Sequence, residues 1–260
     1  MAFYNHFVNS DNPKKKGYTY SHMGKAKAKY YENKEYSNIS YYSYIWRIEK
    51  DYLNILSKEF KKNSRDSGKI RYLDFACGTG RVISFLENYM DISIGIDISN
   101  DMLEIARKKV KKSKLYKKDI TKEKLDDKFD LITAFRFFLN AEPELRDSVL
   151  AQFKKMMRKN SILVFNIHGN KYSFRFLTCL IFRIFKNKKL NQISYYDVKI
   201  ILKKHNFKIL EYSGIGLLPK QLYRIKSISK FLYKLDRLFY KIGLLKFFSH
   251  NLIFIVAKND

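Results

Sequence analysis

The chain has 260 residues, 46% of them hydrophobic, with three Pro and ten Gly; this suffices for a packed core and excludes a collagen-like or linker-dominated chain. Its formal charge is +27, unevenly spread, because residues 151–260 carry 23 Lys and Arg against 4 Asp and Glu. Cys77 and Cys179 stand far apart without metal-ligand spacing, which argues against a disulfide scaffold and against a zinc site.

Residues 1–40 are polar and rich in Tyr and Lys, a partly ordered lead-in in which Tyr30, Tyr31, Tyr36, Tyr41 and Tyr42 are placed to fold over a ligand. The start has no charged-then-apolar run, and no apolar run reaches the roughly 20 residues of a spanning helix, so a cytoplasmic location is expected. Ile45, Ile48, Tyr52, Ile55, Leu56 and Phe60 predict a helix over 44–61 with one buried face. A strand over 70–76, a glycine turn over 77–80 and a helix over 81–89 follow, then a strand over 92–98 and a helix over 101–112 capped by Ser99 or Asn100. Strands are predicted at 115–119, 129–135 and 162–167, with a helix at 144–157. Strands alternating with helices imply a parallel sheet covered on both faces. Beyond it come helices at 172–185 and 195–205, a strand at 207–212, one or two amphipathic helices over 221–248 and a last strand at 252–257.

In Leu73-Asp74-Phe75-Ala76-Cys77-Gly78-Thr79-Gly80-Arg81 the glycines permit a sharp turn that brings backbone N–H groups close to a ligand, at a helix start that favours negative charge. A dinucleotide fingerprint wants a third glycine where Ile83 stands, so a pyrophosphate is disfavoured. A carboxylate or amino-acid group suits the opening better, and Asp74 suits an α-ammonium, directly or through water. The second strand ends at Asp97, whose carboxylate is placed to accept from both vicinal hydroxyls of a ribose; an exposed strand-end Asp is the plainer alternative. Met102 belongs either against an adenine ring or in the core. Asp119 closes the third strand, where a carboxylate accepts from an adenine amino group and Ile120 flanks the ring.

Together, Asp-Phe-Ala-Cys-Gly-Thr-Gly, Gly-Ile-Asp-Ile-Ser, Lys-Asp-Ile and Phe-Asp-Leu-Ile-Thr-Ala stand in the order and at the intervals that resemble the class I S-adenosylmethionine-dependent methyltransferases. The resemblance covers 70–168 closely and the rest more loosely. It implies an α/β fold: a Rossmann-like, seven-stranded, mostly parallel sheet whose last strand runs antiparallel between strands five and six, plus a helical C-terminal insertion. It divides the chain into a lead-in or cap (1–43), a cofactor-binding core (44–169) and the remainder of the same fold with the basic insertion (170–260). It implies S-adenosyl-L-methionine as cofactor, with Asp74, Gly78 and Gly80 at the methionine end, Asp97 at the ribose, Asp119 and Ile120 at the adenine, and Ala76, Ile98, Met102 and Phe135 in the same pocket.

The sulfonium of that cofactor is already a strong electrophile, so the protein must align the reacting atoms and exclude water. A base is needed only for a hydroxyl acceptor, and His168, at the end of the fifth strand, is the candidate; a structural strand-end His is the alternative. Arg136 and Asn140, leaving the fourth strand, are placed to bind an acidic or hydroxylated substrate or to fix their loop.

Phe-Arg-Phe-Phe after the fourth strand is not the Asn/Asp-Pro-Pro-aromatic turn that grips a flipped base, and neither cysteine stands where a pyrimidine C5 nucleophile would. Nucleic acid is therefore the disfavoured partner, although an RNA methyltransferase, or an RNA-binding protein that keeps the cofactor fold, remains the alternative to set against the basic C-terminal part. The abundance of Lys, Asn, Ile, Tyr and Phe together is also what an AT-rich coding sequence produces, so the net charge is either functional or compositional. Phe-Arg-Phe-Phe-Leu-Asn with Phe-Asn-Ile-His-Gly more weakly resembles bacterial methyltransferases associated with surface glycans and lipid-linked sugars, which ranks a small-molecule, glycan or lipid-like acceptor first. Leu222, Ile225, Ile228, Phe231, Leu232, Leu235, Leu238, Phe239 and Ile242 form an apolar stripe among lysines. Such a helix either packs on its own domain or makes peripheral contact with the inner membrane surface.

Overall fold

The computed structural model describes residues 17–18, 23–35, 40–63, 68–174, 191–243 and 245–259. Helix α1 (Lys25–Tyr30), extended by a π turn over Tyr31–Glu35, and the long α2 (Tyr41–Asn63) precede the sheet. The chain then winds through β1 (Arg71–Phe75), α3 (Ile83–Leu86), β2 (Ile92–Asp97), α4 (Asn100–Arg107) and β3 (Lys114–Lys117) to one edge. It returns to β4 (Phe129–Ala134) beside β1 and continues through α5 (Pro143–Met156), β5 (Met157–Ile167), α6 (Tyr195–Lys204), β6 (Phe207–Ile215), α7 (Lys226–Ile242) and β7 (Asn251–Lys258). The strand order is β3-β2-β1-β4-β5-β7-β6, and β7 runs antiparallel to both of its neighbours. This is the mostly parallel, Rossmann-like sheet that the motifs implied, with the antiparallel strand where the resemblance put it.

The two-residue period of the strands sorts the core into two layers. Leu73, Ile132, Leu163, Phe165 and Phe254 face α5 and α6, while Tyr72, Leu131, Val164 and Ile253 face α2, α3 and α7. Ser99 caps α4, accepting from the Met102 N–H. Gly95 lies where β2 is hemmed in from both sides: a Cβ there would stand 2.6 Å from Leu115 Cδ2 and 2.8 Å from Ile83 Cδ1. Gly95→Ala is expected to cost about 1–3 kcal/mol through overpacking, read as a lower urea midpoint with an unchanged slope.

Several elements differ from expectation, among them the following. The helix expected over 81–89 is regular only as α3, a single turn whose Ile83 N–H donates to the Asp74 carboxylate. Strand β5 begins at Met157, directly on leaving α5, and its first residues are held to β4 by the Arg158–Asp130 ion pair at 3.0 Å. The segment expected over 221–248 becomes a 3-10 turn (Lys220–Arg224), α7, and a second 3-10 turn (Lys246–Phe248), with Gly243 closing α7 at φ 69°. The helix expected over 172–185 lies, from residue 175 onward, outside the described residues.

Helix α7 packs through Ser229, Leu232 and Asp236, and the apolar stripe read from the sequence is mostly not the packed face. Buried Asp236 accepts from the Leu218 N–H at 3.0 Å and from the Tyr223 hydroxyl, which turns that side of the helix inward. Burial pushes the Asp236 carboxyl up to about 6. Of the stripe, Leu232 is buried, Leu235 and Phe239 are half-buried, and Ile225, Ile228, Phe231, Leu238 and Ile242 are exposed.

Candidate active site

The strand order reverses between the parallel neighbours β1 and β4, and in open α/β sheets the carboxyl ends of strands at such a point form the ligand crevice. A cleft partly open to solvent lies there, with about 1100 Å³ of space when the solvent at its mouth is included. Of the ten residues expected at a cofactor, Asp74, Ala76, Gly78, Asp97, Ile98, Met102, Asp119, Ile120 and Phe135 line it. Gly80 does not. Its φ of 78° and the 2.9 Å that would separate a Cβ from Ala106 Cβ show a glycine needed for close packing of the turn on α4. Arg136 lines the cleft; Asn140 and His168 do not. The Asn140 side chain donates to the Arg136 carbonyl at 2.8 Å and so fixes the loop, while His168 directly follows β5 and is not among the residues that line the cleft.

The chain enters the cleft at two bends. Ala76 after β1 has φ 51° and Arg136 after β4 has φ 64°, a region that side chains with a Cβ adopt at some cost and that recurs at functional sites. Between them lies Asp74, almost wholly buried. Its Oδ1 accepts from the Thr133 hydroxyl at 2.6 Å, its Oδ2 from the Ile83 N–H at 3.1 Å, and the Tyr72 hydroxyl lies 2.7 Å from Thr133 Oγ1. With the Thr133 proton committed to Asp74, Tyr72 donates. Burial pushes the Asp74 carboxyl up to about 7, against the pull of those two bonds.

Asp97, at the end of β2, accepts from the Gly78 N–H and the Ser99 N–H, each at 2.8 Å. Its pKa is raised by burial, which the amides oppose. One carboxylate thus ties the glycine turn to the start of α4 while lining the cleft. Two expectations for the turn change accordingly: the Gly78 N–H is engaged by Asp97, and α3 is too short to present a helix dipole. Gly78 itself has φ 55° and open space where a Cβ would stand, so backbone borders the cleft directly there. Asp119 accepts from the Thr121 N–H at 3.0 Å and the Thr121 hydroxyl at 2.6 Å, with the Lys122 ammonium 3.7 Å away.

Several participants are not legible in the motifs. Tyr18 and Tyr31, from before α2, line the cleft, and the Tyr18 N–H donates to Glu142 at 2.7 Å. Burial, then the Asp97 and Glu142 charges, hold the Tyr18 hydroxyl well above the tyrosine range. Of the other tyrosines expected over a ligand, Tyr30 is exposed, Tyr41 packs edge-on against Tyr223 at 5.1 Å, and Tyr36 lies outside the described residues. Arg81, also on the cleft wall, pairs with buried Glu49 at 2.9 Å and lies 4.3 Å over the Trp46 ring. Glu49 further accepts from Asn166 at 3.2 Å and Asn251 at 2.8 Å, and Asn166 accepts from the Arg136 N–H at 2.7 Å. Arg136 and Lys220 both approach the Tyr42 ring, at 4.9 and 4.1 Å. Cys77 is buried, and burial, then Asp74 and Asp97, keep its thiol protonated, which removes it as a nucleophile.

The chain is 27% identical over 123 residues to a candidate methyltransferase of Geobacillus sp. (strain WCH70), covering 45% of this chain and 49% of that protein. It is 29% identical over 119 residues to an uncharacterized protein of Rickettsia prowazekii (strain Madrid E), covering 43% and 48%. The chain thus spans about half the length of the curated relatives it matches. In fold it is similar to magnesium protoporphyrin IX methyltransferase from Synechocystis PCC 6803, solved with S-adenosylhomocysteine (TM-score 0.58, 14% identity, 84% of this chain and 86% of that one). It is similar also to an S-adenosylmethionine-dependent methyltransferase from Clostridium acetobutylicum ATCC 824 (TM-score 0.52, 14% identity, 78% and 91%). Residues 66–214, more than half of the chain, match the methyltransferase domain family, and the chain belongs to that family.

Proposed function

We propose that the protein is an S-adenosylmethionine-dependent methyltransferase acting on a hydroxyl of a small-molecule, glycan or lipid-like acceptor. The observation that carries the cofactor is the convergence of Asp74, Asp97 and Asp119, from the ends of β1 and β2 and from just past β3, on one cleft where Gly78 presents bare backbone. Three carboxylates suit a ligand that offers an ammonium, a vicinal diol and an aromatic amine, and they repel a pyrophosphate. Asp74 would face the ammonium, Asp97 the diol, and Asp119 with Ile120 the adenine, with Ala76, Ile98, Met102 and Phe135 around them. When bound, the cofactor supplies a methyl group on a sulfonium. The chain's own residues hold and orient the reactants and exclude water, Tyr18 and Tyr31 closing the cleft from the N-terminal side.

Arg136 supports the acceptor half of this reading. It stands on the cleft wall beside Tyr42 and Lys220, and a cationic and aromatic border suits a sugar or an acidic group. His168 does not line the cleft, so as the base it would take the acceptor hydroxyl's proton through one water, as the oxygen–methyl bond forms and the methyl–sulfur bond breaks. Incubating cell extract with purified protein and methyl-labelled cofactor tests the proposal. Label in a glycan or lipid fraction supports it; label confined to RNA or protein overturns the acceptor half.

Asp74 gives the cofactor reading a pH signature. An ammonium beside it favours the ionised carboxylate, so binding below about pH 7 releases a proton, and affinity is expected to rise with pH up to about 7 and then level off. In the free protein the sign is opposite: the raised pKa gives a contribution to stability that is complete below 3.8 and lost as pH rises through about 7. Calorimetry in buffers of different ionisation enthalpy reads the released proton, and Asp74→Asn should flatten the profile.

A further inference from the structure

We propose that the exposed face of α7 docks the protein on an anionic membrane surface, a property that goes beyond methyl transfer and does not depend on it. Ile228, Phe231, Leu235, Leu238 and Ile242 recur at three- and four-residue steps and so form one stripe along the helix. Ile225 continues it before the helix, and Leu245 and Phe248 lie beyond its end. Phe231 is 64% exposed and Ile242 62%, the highest values among the large hydrophobic residues of this helix. The stripe is not surplus core, because the inward side of α7 is already filled by Ser229, Leu232 and Asp236. A run of large apolar side chains facing water marks an interaction surface, whereas isolated ones do not.

The charge around the stripe selects the occupant. Lys230, Lys234 and Lys241 are exposed along α7, and the helix's single acidic residue, Asp236, is buried on the opposite side. Lysine stems lie along apolar surface while their ammonium groups reach outward, which is the arrangement of a helix lying in the headgroup plane of an anionic bilayer. Phosphates of RNA would use the lysines and leave the aliphatic stripe in water. A second copy would set like-charged lysine rows against each other.

Sedimentation of the full chain with vesicles tests this. Binding is expected to phosphatidylglycerol–phosphatidylcholine vesicles, to weaken by about tenfold or more on phosphatidylcholine alone, and to fall as salt is raised. Phe231→Glu with Leu238→Glu should remove it, as should Lys234→Glu with Lys241→Glu, each with an unchanged circular dichroism spectrum. No sedimentation, or wild-type binding by both variant pairs, overturns the proposal. A concentration-dependent dimer that Phe231→Glu dissociates, without vesicle binding, assigns the face to a second copy instead. Retention on RNA that the lysine pair abolishes, without vesicle binding, assigns it to nucleic acid.

Discussion

Asp97→Ala is expected to lower the affinity for S-adenosylhomocysteine by roughly 100-fold or more, because two hydrogen bonds from a diol to a carboxylate contribute about 3 kcal/mol or more together. The effect has a second source in the free protein. Asp97 also accepts from the Gly78 and Ser99 N–H groups, so removing it loosens the glycine turn that borders the cleft. Asp97→Asn keeps one acceptor oxygen and should fall between the two. Calorimetry on variants with an unchanged thermal transition separates lost contacts from lost fold, and a loss of less than threefold for Asp97→Ala would contradict the assigned role.

Glu49→Ala is the largest stability effect expected, about 3–5 kcal/mol, because it leaves a largely buried guanidinium without its carboxylate. Arg81 would lose its 2.9 Å ion pair, and the amides of Asn166 and Asn251 would lose their common acceptor. Burial acts to raise the Glu49 pKa; the Arg81 and Arg136 charges overcome it and hold the carboxyl below 4.5. The sign follows from that depression: the stability this group contributes is complete above 4.5 and is lost as the pH falls through its lower folded value. Urea unfolding at neutral pH checks the magnitude. Glu49→Gln, which loses the charge but still accepts from both amides, should cost less, and equal losses for the two variants would show that the amide bonds add nothing beyond the ion pair. Since the same network reaches Arg136 through Asn166, the cleft wall should loosen together with the core.

What was legible in the sequence is what is local. The turn at Gly78 announces itself, because a left-handed backbone between a strand and a helix needs glycine, and the strand-end positions of Asp74, Asp97 and Asp119 follow from counting along buried strands. The antiparallel placement of β7 came from the resemblance, since periodicity cannot order strands. The Glu49 network was hidden because its partners lie 117 and 202 residues away in sequence. One signal pointed to it: Glu49 follows Ile45 by four residues and precedes Tyr52 by three, which puts a carboxylate on the apolar face of α2. Helix α7 shows the converse. Its apolar stripe was read correctly as a stripe, but a buried carboxylate, Asp236, decides which side turns inward, and hydrophobic periodicity carries no information about a polar anchor.

The most direct measurement is titration of S-adenosylhomocysteine into the purified chain. A single saturable site that weakens in Asp97→Ala and loses its proton release in Asp74→Asn is the predicted result. Absence of any saturable heat in protein with a cooperative thermal transition would contradict the assignment of the cleft.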